Sequence, residues 1–133
     1  MRQIQKIVLV DDDMMVNMVT ERLLLRHNKE YQITVFTNPV KALDTLKKDH
    51  ETGNTLPDII LLDIRMPELT GFEFLDKLSE NDFAKNIQII IHTSSFALPD
   101  QEKAQIYPNV IGYMQKPFSV GLFSKILEEK VQC

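Results

Sequence analysis

Five short apolar runs punctuate the chain: Ile7-Val8-Leu9-Val10, Ile33-Thr34-Val35-Phe36, Ile59-Ile60-Leu61-Leu62, Ile87-Gln88-Ile89-Ile90-Ile91 and Val110-Ile111-Gly112-Tyr113-Met114. Several are continuous rather than alternating and rich in β-branched residues, the pattern of strands covered on both faces. Between them apolar residues return at helical spacing. Val16, Val19 and Leu23 fall at i, i+3 and i+7. Val40, Leu43 and Leu46 follow Asn38 and Pro39, which read as an N-cap and a first-turn proline. Phe72, Phe74, Leu75 and Leu78 come after a break at Gly71. Leu122, Phe123, Ile126 and Leu127 form a stripe behind Ser119, a further N-cap. The segment from Leu98 to Tyr107 is mostly polar and is stopped by Pro108, so only a short helix is expected there. Strand–helix alternation repeated in this way implies parallel strands, right-handed crossovers and helices on both faces of a sheet. In such a sheet, ligands gather beyond the carboxyl ends of the strands.

Composition narrows the class without changing it. A chain of 133 residues suits one domain, and 44% apolar with 26% charged residues argues against disorder. Fifteen Lys and Arg against 19 Asp and Glu leave a net charge of −4, without the basic footprint of an autonomous nucleic-acid binder. The single cysteine, Cys133, excludes an internal disulfide and a cysteine-based metal cage. No apolar run approaches the ~20 residues of a membrane span, and Met1 to Lys6 lead into no secretory core. The expectation is one cytoplasmic domain over residues 1–133.

The strand ends carry the chemistry. The first run ends in Asp11-Asp12-Asp13, the third in Asp63, the fourth in Thr93-Ser94-Ser95, and the fifth leads to Lys116-Pro117. Asp13 suits a helix cap. Asp11, Asp12 and Asp63 converge if the topology holds, and clustered carboxylates repel, which raises their pKa values or demands a cation. A few oxygen ligands suit Mg²⁺. A carboxylate beside Mg²⁺, a lysine and a hydroxyl is equipped to become an aspartyl-phosphate. Asp63 is the candidate nucleophile, with Lys116 and the hydroxyl of Thr93 or Ser94 to meet phosphoryl oxygens.

Val8-Leu9-Val10-Asp11-Asp12-Asp13, Leu62-Asp63-Ile64-Arg65-Met66-Pro67 with Gly71, Thr93-Ser94, and Gly112-Tyr113-Met114-Gln115-Lys116-Pro117-Phe118 together resemble the receiver domain of bacterial response regulators. The resemblance runs from Lys6 to the last helix. It implies a flavodoxin-like, doubly wound (βα)5 fold with a five-stranded parallel sheet in the order 2-1-3-4-5. It further implies that Asp63 is the phosphoacceptor of a phosphorelay, and that Asp11 and Asp12 hold Mg²⁺ with the backbone carbonyl of Arg65. Lys116 would contact the phosphoryl group, next to a cis bond to Pro117. Thr93 would be the switch hydroxyl, and Tyr113 the aromatic that turns from solvent toward the sheet. The implied partners are a sensor histidine kinase or phosphotransfer protein and a downstream effector protein, the latter met on the face of the fourth helix, fifth strand and fifth helix. No output domain, no direct nucleic-acid binding, no membrane attachment and no turnover of external substrates are expected, and the state implied is a monomer or weak dimer.

Two positions depart from that pattern. His92 stands where relatives usually carry an apolar residue, and reads as a core histidine with a satisfied hydrogen bond. Gln105 to Val110 replaces a stretch of small residues ahead of the fifth strand. The competing classes are weaker. A metal-dependent phosphatase working through an aspartyl-phosphate would want a carboxylate two residues beyond its nucleophile, where Arg65 stands. A flavin or nucleotide binder would want a glycine-rich loop after the first strand, and the four glycines lie elsewhere. His27 and His50 read as ordinary surface residues.

Overall fold

The computed structural model describes residues 4–95 and 97–132. Its elements are β1 (Lys6–Val10), α1 (Met14–His27), β2 (Gln32–Phe36), α2 (Pro39–Thr52), β3 (Ile59–Leu62), α3 (Gly71–Ser79), a 3₁₀ turn (Asp82–Asn86), β4 (Gln88–Thr93), α4 (Leu98–Ala104), β5 (Val110–Gln115) and α5 (Val120–Gln132). All strand pairs are parallel, and the order is β2-β1-β3-β4-β5, the flavodoxin-like arrangement expected. The 3₁₀ turn is an element the periodicity did not announce.

Continuous apolar strands fill both faces of the sheet. Val8, Val10, Ile60, Leu62, Ile89 and Ile91 pack under α2, α3 and α4, against Leu43, Leu46, Phe74, Leu75 and Ala104. Ile7, Leu9, Ile59, Leu61 and Ile90 face α1 and α5, against Leu24, Phe123 and Ile126. The edge strand β2 is only half-buried, with Gln32 and Thr34 exposed. The caps read from the sequence are in place. Asp13 accepts from Met15 and Val16 N–H, Asn38 from Val40 and Lys41 N–H, and the Ser119 hydroxyl from Leu122 N–H.

One local expectation is corrected. The buried face of α1 is Asn17, Thr20 and Leu24, not Val16, Val19 and Leu23; Val19 is 50% exposed. The helix is turned so that Asn17 Nδ2 donates to the buried Asp11 carbonyl at 2.8 Å, which no apolar residue at that position would satisfy. α4 is the short helix expected and ends at Ala104, before Tyr107. From there Gln105, Ile106 and Tyr107 N–H bond three residues back, a tightening turn. It brings the Tyr107 hydroxyl to Asp76 Oδ1 at 2.7 Å and its ring onto Phe72.

Candidate functional site

Strand register brings the chemistry together. Val10 lies beside Leu62 and Leu62 beside Ile91, so Asp11 and Asp63 leave adjacent strands side by side. Asp63 N–H donates to the Val10 carbonyl at 3.0 Å. β5 joins through Lys116 N–H, which donates to the Thr93 carbonyl at 2.8 Å. Gly71, the first residue of α3, permits the close seating of the β3–α3 loop. A Cβ there would stand 2.6 Å from both the Asp63 carbonyl oxygen and Ile64 Cα, which are backbone atoms and have no room to give.

Three of the expected residues form an ionic knot. Lys116 Nζ stands 2.7 Å from Asp11 Oδ2 and donates to Asp63 Oδ2 at 3.1 Å. Both carboxylates are buried, while Asp12 is exposed. Burial raises the Asp11 carboxyl above its usual range; the adjoining Lys116 ammonium and the Asp13 N–H pull against that, and the Asp63 charge adds to it. Burial alone would lower the Lys116 ammonium, but the two carboxylates outweigh it and raise it.

One lysine leaves the group underneutralised. Oxygens of Asp11, Asp12 and Asp63 lie within 4.8 Å of one another. The 2.7 Å approach of Lys116 lacks hydrogen-bond alignment, so Asp11 Oδ2 is a buried acceptor without a hydrogen-bond partner among the described residues. Such an oxygen, in an all-carboxylate set, fits a hard divalent cation. The backbone of Arg65 also reaches the group, donating its N–H to Asp63 Oδ1 at 3.1 Å.

The remaining expected residues sit around this knot. Thr93 ends β4 fully buried and its hydroxyl accepts Ser95 N–H at 3.3 Å; Ser94 is exposed. Tyr113 is not out in solvent but half-buried against the α2–α4 layer, its hydroxyl donating to the Ser95 carbonyl at 3.1 Å. The Lys116-Pro117 bond is cis. His92 corrects the reading of a satisfied core histidine: it is buried edge-on against Phe118, and Nε2 has no hydrogen-bond partner among the described residues. Burial first, then the Lys116 charge, lowers it to about 4 against the pull of Asp63, so the ring is neutral and tolerates an apolar layer. Sequence reasoning missed Asn17 and Asp100, and gave Ser95 a place at the end of β4 but no role. A polar residue at an otherwise apolar helix position was the signal for Asn17; Asp100 offered none beyond its place in the first turn of α4.

The family profile described as "Response regulator receiver domain" matches residues 7–128. The polar-differentiation response regulator DivK of Brucella anthropi is 31% identical over 123 residues, 92% of this chain and 94% of that protein. The probable methanogenesis regulatory protein FilR2 of Methanothrix harundinacea is 30% identical over 124 residues, 92% of this chain and 79% of that protein. A crystal structure of a two-component response regulator from Cytophaga hutchinsonii superposes with a TM-score of 0.88 at 25% identity, covering 99% of this chain and 100% of that one.

Proposed function

The chain belongs to the response regulator receiver domain family, and from that premise we propose that it accepts a phosphoryl group on Asp63 and signals the change to a protein partner. The observation that carries the reading is the Lys116 ammonium between the buried carboxylates of Asp11 and Asp63. An Asp63 oxygen would attack the phosphorus of a phosphohistidine, supplied by a sensor histidine kinase or phosphotransfer protein, while the imidazole departs. Lys116 holds Asp63 Oδ2 in place and meets the growing charge on the phosphoryl oxygens. Asp11, Asp12, Asp63 and the Arg65 carbonyl would hold a divalent ion, Mg²⁺ in a cell. When bound, that ion neutralises phosphoryl oxygens. The Thr93 hydroxyl is the donor that moves toward the phosphoryl group, releasing its bond from Ser95 N–H, and Tyr113 follows through the Ser95 carbonyl.

A surface for the donor protein begins where the acidic residues end. Met14, Met15, Met18 and Val19 on α1 are each at least half exposed. Exposed apolar area of this kind, next to a charged pocket, suits docking of a helical partner. No helix among the described residues is long and apolar enough to cross a membrane. From its family the chain is read as a cytoplasmic signalling domain rather than an enzyme with external substrates. The phosphatase alternative is disfavoured because Arg65, where a general acid would be wanted, is engaged with Asp100.

Incubation with acetyl phosphate and Mg²⁺ tests the reading by mass spectrometry. Wild type should gain one phosphoryl group, and Asp63→Asn none. Asp12→Ala should weaken Mg²⁺ binding and labelling together. Equal labelling of the Asp63→Asn chain would sink the assignment.

A further inference from the structure

The Arg65 backbone touches Asp63, but its guanidinium is engaged elsewhere. Nη2 stands 3.2 Å from Asp100 Oδ2 and donates to Ser95 Oγ at 3.4 Å. The Ser95 hydroxyl closes the triangle, donating to the same Asp100 oxygen at 2.6 Å. Ser95 is buried, whereas the Arg65 side chain is 62% exposed, so Arg65 is the corner with freedom to turn away. Beside the guanidinium lies an open groove of about 500 Å³ between the β3–α3 loop and α4, lined by Arg65, Met66, Thr70, Asp100 and Lys103 among others. It leaves the arginine room to turn.

This inference rests on Asp63 being a phosphoacceptor. We propose that Arg65 has two alternative anionic partners, Asp100 on α4 and the phosphoryl group on Asp63, so that phosphorylation competes with the Arg65–Asp100–Ser95 tie. A guanidinium fork suits a carboxylate and a phosphoryl group equally in geometry. The phosphoryl group adds charge and acceptor oxygens two residues from Arg65. Lys116 does not cancel that charge alone, because it also neutralises Asp11. Only contacts that differ between two states shift their populations, and here one contact is exchanged for another. When Arg65 leaves, Asp100 keeps only Ser95 as a side-chain partner among the described residues, and its tie from the first turn of α4 to the β3–α3 loop is lost. The coupling is reciprocal: an uncharged residue 100 frees Arg65 and favours the phosphorylated state.

Beryllofluoride, a phosphoryl mimic, is titrated with Mg²⁺ into the full chain and followed by NMR, for wild type, Asp100→Asn, Arg65→Gln, the double variant and Asp100→Glu. Asp100→Asn should tighten beryllofluoride binding roughly two- to fivefold, the range of an exposed ion pair. In the Arg65→Gln background the same change should do nothing, and Asp100→Glu, which keeps the charge, should stay within about twofold of wild type. No tightening, equal tightening in both backgrounds, or an Asp100→Glu chain that behaves like Asp100→Asn overturns the competition while leaving Asp63 as acceptor. Wild type that binds no beryllofluoride overturns the acceptor reading, and the competition with it.

Discussion

Two helices flank the groove beside Asp63, and they are anchored unequally. α3 opens with a reciprocal cap, in which Thr70 Oγ1 accepts Glu73 N–H and Glu73 Oε1 accepts Thr70 N–H. It then buries Phe72, Phe74, Leu75 and Leu78. α4 has no side-chain cap bond at its start, buries only Ala104, and leaves Leu98 67% exposed. Burial of apolar side chains is what holds a helix down. α3 therefore belongs to the frame that fixes Asp63, whereas α4 buries little and is tied to its surroundings through polar contacts such as those of Asp100 and the Lys103 ammonium over Phe72. Elements with little buried apolar surface open at the lowest cost, which makes α4 the element that can respond.

The largest effect should come from the frame. Phe74→Ala removes a fully buried ring and should cost about 3–5 kcal/mol in urea unfolding, whereas Leu98→Ala on α4 should stay within about 0.5 kcal/mol. Similar losses from the two would erase the contrast.

Acid should act through β4, whose end looks both ways. Thr93 faces the α3–α4 side, and His92 faces Phe118 on the other. His92 is lowered in the folded protein from near 6.5 to about 4, so the unfolded chain binds the extra proton first. Stability is then fully present above pH 6.5 and is lost as pH falls toward about 4, by at most about 3 kcal/mol. Lys116 reinforces the shift and Asp63 opposes it; the raised Asp11 carboxyl works in the reverse sense. His92→Leu should flatten stability measured between pH 7 and 4.5. A slope that survives the substitution would place the acid sensitivity elsewhere.

The smallest effect should come from giving α4 the cap it lacks. Ala97→Ser offers an acceptor to Asp100 N–H, and should slow hydrogen exchange in residues 98–104 by up to about 1 kcal/mol. Unchanged exchange would mean that the polar tie through Asp100, rather than the missing cap, sets how loosely α4 is held.

Much of this was legible beforehand. Asp11, Asp63, Thr93 and Lys116 stand where strand ends had to put them, because a parallel sheet gathers its carboxyl ends on one edge. Asp13, Asn38 and Ser119 advertised their caps by type and position. The face of α1 was not legible, since Val16, Val19 and Leu23 satisfy a helical period as well as the true face does. What decided it was Asn17 reaching the Asp11 carbonyl, a polar contact that no periodicity scores.

Sequence by itself determined the strand–helix alternation, the parallel sheet and the acidic strand ends, because each follows from local pattern and from a chain path that cannot cross itself freely. The tertiary structure alone decided which partners the polar side chains chose. Arg65 pairs with Asp100, 35 residues on; Tyr113 reaches back 18 residues to Ser95; His92 is left with a buried nitrogen unpaired among the described residues. Such choices depend on distances between loops set by packing on different faces of the sheet, and neither partner's local sequence carries that information.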